Sequence, residues 1–236
     1  HTTFSDGALT PQELVMRAQQ MQVDALAITD HDTVAGYEAA AAYHTSNPGD
    51  MKLIPGIELS CVWSGTTIHV LGLGINCKHP AMLEALATMA HARQERGSKI
   101  AARLAARGFE GALEGAKAQA GESQLGRPHF AAWMVECGHA RDHSEAFDRY
   151  LGQGKTGDVR AFWPDLAEVT QWIVASGGIA VVAHPLKYRF TGMKLRRLFT
   201  AFVAAGGEGV EVQSGYQTPD QTRHLLRLAQ DFGLEV

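Results

Sequence analysis

Short apolar runs in this chain lead into groups that bind metals or move protons. His31 follows the run Asp24 to Thr29, Glu58 follows Ile54 to Ile57, His69 lies within Thr67 to Ile75, and His184 follows Gly178 to Ala183. Neutral imidazoles and carboxylates suit Zn, Mn or Fe, and mixing them allows bridging between ions. In α/β barrels the working groups come from the ends of several strands at one face, so such residues can meet in space. A polynuclear metal site is the natural inference. Each member has a plainer reading. Asp30-His31-Asp32 could be a helix N-terminus, where carboxylates cap free N–H groups, which accounts for Asp32 but not for His31. Glu58 could face solvent on an edge strand, although Pro55-Gly56 and apolar neighbours argue against that. His44, His79, His91, His139, His143 and His224 fall in helical or loop contexts and read as surface or hydrogen-bonded histidines.

The elements that must position these groups follow from pattern and punctuation. Thr10-Pro11-Gln12-Glu13 is a capping box with proline at the first helical position, opening a helix to about Gln22. A strand over 24–29, a helix over 33–43 and two strands over 52–60 and 67–75 follow, with Ser64-Gly65 as the turn between the strands. From His79 to about Arg160 the sequence is Ala-rich and helical, with helices expected at 80–107, 127–138 and 144–151. After Trp163-Pro164 alternation resumes: a helix to Ser176, a strand 178–184, a helix 193–205, a strand 209–213, a helix 219–232 and a new strand from Leu234. Alternating elements with buried apolar strands predict a parallel sheet or a barrel. The expected organisation is a barrel over 1–78, a helical insertion over 79–160 and the rest of the barrel over 161–236.

Composition narrows the function classes. The chain has 236 residues, enough for one α/β barrel with an inserted subdomain. With 21 Lys and Arg against 25 Asp and Glu, the net charge of −4 argues against a basic nucleic-acid coat. Mean hydropathy is −0.12, and no apolar run approaches the roughly 20 residues of a membrane span. Cys61, Cys77 and Cys137 form no C-x-x-C pair and leave an odd thiol, as expected of the cytoplasm. The first residues hold neither a basic segment nor an apolar stretch of the secretory type. A chain that opens on His1 and ends on Val236 reads as cut at both ends.

His1-Thr-Thr-Phe-Ser-Asp6-Gly, Thr29-Asp-His-Asp32, Pro55-Gly-Ile-Glu58, Ile68-His69-Val and Ala183-His184-Pro185 occur in the order of the PHP (polymerase and histidinol phosphatase) family, which the chain resembles over most of its length. The resemblance implies a distorted seven-stranded β/α barrel and a phosphoesterase site with two or three divalent ions. Mn is the first expectation, with Zn or Fe as the other fits. It makes His1, Asp6, His31, Glu58, His69 and His184 metal ligands. The family's opening His-x-His pair would have its first member upstream of His1, and its closing Asp-x-His would lie beyond Val236. Gly126-Arg-Pro-His129 and Tyr150-Leu-Gly-Gln-Gly-Lys155 look like the branch that holds nucleoside 3′,5′-bisphosphate phosphatases and 5′→3′ exoribonucleases.

On that reading the substrate is a small phosphorylated nucleotide, with short single-stranded RNA as a further candidate. No membrane and no obligate protein partner is implied. Arg127, Lys155 and Arg189 are the expected substrate clamps, and each could instead be a solvated charge. His129 could meet a second phosphate or cap the helix begun by Pro128. Asp32 could orient His31 or serve as an acid near the leaving oxygen. The alternatives are a histidinol-phosphate phosphatase, a PHP module kept only for interaction, and a generic metal-dependent esterase or amidase.

Overall fold

The computed structural model describes residues 1–159 and 163–236. The expected boundary at 160/161 lies outside the described residues. The capping box predicted at Thr10 opens α1 (Pro11–Gln20): the Glu13 amide donates to Thr10 Oγ1, and Glu13 Oε2 accepts from the Thr10 amide at 2.8 Å. Next come β1 (Ala25–Ile28), α2 (Ala35–Ser46) and a long hairpin of β2 (Lys52–Trp63) and β3 (Thr66–Leu73), turning at Ser64-Gly65. The helical stretch comprises α3 (Pro80–Ala105), α4 (Ala112–Ala120), α5 (Arg127–Glu136) and α6 (His143–Ala146), the last running into one wide π-helical turn at Phe147–Leu151. Then come α7 (Leu166–Ala175), β4 (Ile179–Val182), a tight turn Pro185–Tyr188, α8 (Gly192–Ala204), β5 (Gly209–Val210) and α9 (Pro219–Phe232). The reading from sequence missed α4. Its Ala-rich run lies among glycines that obscured the helical period.

The five strands pair in sequence order, β1-β2-β3-β4-β5. The expected parallel sheet or barrel takes the form of a mixed sheet. β1 and β2 are parallel, as are β4 and β5, but β2/β3 and β3/β4 are antiparallel. The two-residue Ser64-Gly65 link accounts for β2/β3, since it can join only antiparallel neighbours. The strand expected over 209–213 pairs at Gly209–Val210, and Glu235 adds a single parallel bridge to Gly209.

Side-chain alternation on β3 decides which face carries chemistry. Ile68, Val70 and Gly72 are buried, so Thr67 and His69 occupy the opposite face. The register pairs Ser60 with His69 and Glu58 with Leu71, which puts Glu58, Ser60 and His69 on one face.

The apolar interior has separate clusters. Ile57, Leu59, Ile68 and Val70 pack with Val169, Ile173, Leu198 and Phe202 from α7 and α8. Phe130, Met134, Leu151 and Ala116 form another cluster among the helices of the 79–160 stretch. The long α3 joins them: Met82, Ala85 and Met89 belong to the first, Ile100 and Leu104 to the second. At about 1.5 Å per residue this helix is roughly 39 Å long, enough to reach across both.

Gly115 lets α4 lie against α5, because a Cβ there would sit 1.9 Å from Trp133 Cδ1. Gly115→Ala is therefore expected to cost about 1–3 kcal/mol by overpacking. Thermal denaturation followed by circular dichroism would register this as a midpoint lowered by several degrees.

Candidate metal and phosphate site

Asp30, at the end of β1, organises the start of the chain. Its buried carboxylate accepts from the Thr2 amide at 2.5 Å, Thr2 Oγ1 at 2.6 Å and Ser5 Oγ at 2.6 Å. These bonds tie the segment that carries His1 and Asp6 onto the sheet. Gly36 leaves the room, since a Cβ there would fall 1.9 Å from Asp30 Oδ2. The last bonds between β1 and β2 run from the Glu58 amide to Asp30 O and from the Asp32 amide to Glu58 O, setting His31 beside Glu58.

Around Glu58 the structure brings together all six residues read as ligands. Glu58 is 2% exposed. Its Oε2 lies 2.9 Å from His1 Nε2 and 3.7 Å from His31 Nδ1. Its Oε1 lies 3.0 Å from His69 Nδ1 and 2.9 Å from His184 Nε2. Asp6 closes the outer side, 3.6 Å from both His1 Nδ1 and His31 Nε2. Burial alone would raise the Glu58 pKa, but hydrogen bonds from His1, His184 and His69 overcome it and hold the carboxyl below the usual range. Burial dominates at His31 and pushes it down to about 4, the Glu58 and Asp6 charges countering it only in part and the neighbouring His69 adding to the effect. His1 shifts the other way: burial disfavours its charge, and the bond to Glu58 with the Glu58, Asp6 and Asp30 charges outweighs that.

This donor set fits divalent cations. His1, Asp6 and His31 offer ligand atoms within 4.8 Å of one another, as do His31, Glu58 and His69. His31 belongs to both groups, so two neighbouring ions could share this wall. Among the described residues the buried His31 Nδ1 lacks a hydrogen-bond partner, a cost that a ligated ion would remove.

A cavity of about 320 Å³ opens from this cluster. Asp6, His31 and His69 line one side, and Arg93, Arg96, Arg127 and His129 the other. Asp32 is buried beneath it and does not hold the His31 ring. It accepts from Arg93 Nε at 2.7 Å, Arg93 Nη2 at 2.5 Å, the Ser60 amide at 2.7 Å and Ser60 Oγ at 3.0 Å. A carboxylate enclosed by these donors holds Arg93 in place. Arg96 and Arg127 bond backbone carbonyls, those of Val159 and Leu151, at 3.1 Å each. Burial pushes Arg96 down to about 10, and the charges of Arg127 and Arg93 add to it. The mutual repulsion of three guanidinium groups makes this end of the cavity receptive to an anion.

Arg127 thus reaches the cavity, whereas Lys155 and Arg189 do not line it. Both are exposed. Lys155 sits in a tight turn where its amide bonds Gly152 O, and Arg189 ends the Pro185–Tyr188 turn at φ 53°. His129 takes the capping geometry, with Nδ1 accepting from the Gly126 amide at 3.0 Å and Nε2 facing Ser123 Oγ at 3.2 Å. Arg93 and Arg96 escaped the reading from sequence because they lie inside a long helix with no element boundary beside them, Gly97 being part of the same helix. Their three-residue spacing on α3, which puts both on one side, was the available signal.

Asp30→Ala should free the His1–Asp6 segment and weaken Mn²⁺ binding about 10- to 100-fold, the usual effect of losing a residue that supports metal ligands. Isothermal titration calorimetry would measure it, and an unchanged affinity would exclude Asp30 as the anchor.

Comparisons with known proteins identify the family. The PHP domain model matches residues 1–159. A 5′-3′ exoribonuclease of Haemophilus influenzae is 41% identical over 235 residues, covering 100% of this chain and 85% of that protein. A 3′,5′-nucleoside bisphosphate phosphatase of Chromobacterium violaceum is 37% identical over 235 residues, covering 99% of this chain and 82% of that protein. Among solved structures, an amidohydrolase from Chromobacterium violaceum with bound sulfate and no metal superposes with a TM-score of 0.89 at 37% identity, over 99% of this chain and 82% of that one. Shared motifs, shared fold and identity along nearly the whole length lead to one conclusion: this chain belongs to the PHP domain family.

Proposed function

We propose that this metal-dependent phosphoesterase removes the 3′-phosphate of nucleoside 3′,5′-bisphosphates. The observation that carries the reading is the single cavity with metal-binding groups on one wall and three guanidinium groups on the other. Such a space suits a ligand with two phosphates separated by a ribose, and its volume lies within the usual range for small-ligand pockets. The relative named as a 3′,5′-nucleoside bisphosphate phosphatase supports the same assignment.

His1, Asp6, His31, Glu58, His69 and His184 would hold two or three divalent ions, with Mn²⁺ as the proposed metal. When bound, such ions lower the pKa of water and take up charge on phosphate oxygens. The residues themselves do the rest. His31, kept neutral by burial, offers the lone pair of one ring nitrogen at working pH. Arg96 and Arg127 receive the 5′-phosphate with charge-assisted hydrogen bonds, while Arg93 is held in place by Asp32. The helical segment 79–160, proposed as an insertion, supplies these cations and closes the nucleotide end of the cavity. A histidinol phosphate would bring a cationic amine towards three guanidinium groups, which opposes that alternative.

A second reading, 5′→3′ trimming of short RNA, rests on the exoribonuclease relatives. In both reactions water attacks phosphorus and the bond to the 3′-oxygen breaks. The released part is inorganic phosphate in one case and the remaining chain with its new 5′-phosphate in the other. Both substrates fit a cytoplasmic enzyme, in keeping with three free thiols. Among the described residues no helix is long and apolar enough to cross a membrane.

The test is phosphate release from adenosine 3′,5′-bisphosphate by the natural-length protein with Mn²⁺, with a chelator control and histidinol phosphate alongside. Chelator-sensitive release from the bisphosphate is expected, and preference for histidinol phosphate would overturn the proposal. Arg96→Ala and Arg127→Ala should each lower kcat/KM for the bisphosphate by roughly 10- to 100-fold, the value of a charged hydrogen bond. Adenosine 3′-monophosphate, which lacks the second phosphate, should be much less affected. Equal losses on both substrates would remove these arginines from 5′-phosphate recognition.

A further inference from the structure

The ladder between β3 and β4 contains an irregularity at the point where two of the metal-binding histidines leave it. Val70 pairs with Val182, the last regular pair of the ladder, and the next positions outward along the same register are His69 and Ala183. An opposed antiparallel pair ordinarily exchanges two hydrogen bonds or none. Here one bond is direct, from the Ala183 amide to His69 O at 3.1 Å. The other is interrupted by a side chain. The His69 amide donates to Tyr188 Oη at 2.9 Å, and that hydroxyl donates to Ala183 O at 2.9 Å. A phenol oxygen therefore occupies the place of the reciprocal ladder bond.

The local chain explains how Tyr188 gets there. His184 leaves the strand at φ 30°, and the turn Pro185–Tyr188 folds back with the Lys187 amide on His184 O. The Tyr188 ring then lies 5.4 Å from the His184 ring and 5.6 Å from the Phe190 ring, centroid to centroid. Burial raises the phenol pKa well above its ordinary value, so the hydroxyl keeps the proton it must donate to Ala183 O. The Glu211 carboxylate takes the His184 amide at 2.6 Å, so the backbone at both histidines is held by side chains. On the site face, His69 Nδ1 and His184 Nε2 lie 3.2 Å apart against the same Glu58 oxygen.

We propose that Tyr188 is a positioning residue whose hydroxyl, inserted between β3 and β4, sets the spacing of His69 and His184 and thereby the divalent-metal affinity of that end of the cluster. The inference rests on the metal-site reading above. Without the hydroxyl the His69 amide and Ala183 carbonyl would close directly on one another, drawing the strand ends and their imidazoles out of register with Glu58.

Tyr188→Phe in the natural-length protein tests this, because it removes one oxygen and keeps the ring. Mn²⁺ affinity by calorimetry should fall about tenfold or more, within the range for residues that support metal ligands. The visible absorption of the Co²⁺-loaded protein should change. The Mn²⁺ concentration giving half-maximal activity should rise, while KM for the bisphosphate at saturating Mn²⁺ stays as in wild type. The melting midpoint of the metal-free protein should stay within about 3 °C, since a direct ladder bond replaces the bridged one. Unchanged affinity and spectrum would overturn the proposal, and so would a collapse of the metal-free melting transition, which would make Tyr188 a packing residue. A wild-type protein that binds no Mn²⁺ would instead refute the metal-site reading. Mn²⁺ binding without bisphosphate turnover would refute the substrate assignment and leave the role of Tyr188 standing.

Discussion

The buried carboxylate of Glu58 is the constraint on which the rest of this structure depends. An ionised carboxylate removed from water is costly unless it is paired and hydrogen-bonded. Here the compensation comes from imidazoles on three separate pieces of chain, the N-terminal segment, the face of β3 and the exit of β4, with His31 at the end of β1 standing 3.7 Å away. Each of the three must therefore be held to within a hydrogen-bond length of the same group. The N-terminal segment is bound through Asp30, His31 through its bridge to Glu58, and His69 and His184 through the β3/β4 ladder. The same convergence that satisfies one buried charge also assembles a donor set suited to divalent cations.

A second buried carboxylate does comparable work across the boundary between sheet and helices. Asp32 takes two bonds from Ser60 on β2 and two from Arg93 on α3. Because α3 contributes to both apolar clusters, a displacement of the helical part would carry Arg93 with it and leave the fully buried Asp32 without that partner. Losing one partner of such a pair is strongly unfavourable, so the two walls of the cavity are fixed relative to each other. The spacing between the metal-binding wall and the arginine wall follows from that link, and with it the size of ligand the cavity can accept.

Much of this was legible in the sequence, for local reasons. The capping box at Thr10, the Ser64-Gly65 turn and the Pro219–Phe232 helix carry their signals within a few residues, and the structure has them where those signals indicate. His31, Glu58 and His184 could be picked out because they follow apolar strand runs and His69 because it lies within one, whereas His1 and Asp6 rest on the resemblance to the PHP family. Lys155 and Arg189 looked equivalent to Arg127 because each stands beside a turn or element boundary. Sequence carries no information on which side of such a turn the cavity lies. Arg93 and Arg96 are the opposite case, two helical arginines of ordinary appearance that become a phosphate-binding wall because of what α3 packs against.

The sequence by itself determined the inventory: which groups can bind a cation, which runs become strands, and that the chain resembles the PHP family. Those properties are set by side-chain chemistry and by periodicity over a few residues. Tertiary structure alone decided the relations among them. It made β3 and β4 an antiparallel pair, set Asp32 against Arg93, placed three guanidinium groups in the cavity with the metal-binding groups, and inserted Tyr188 between β4 and His69, a residue more than a hundred positions away in sequence. Each of these depends on distances between segments that meet only when the hydrophobic clusters close. No local pattern encodes such distances, because the energy that sets them is shared across the whole packed interior.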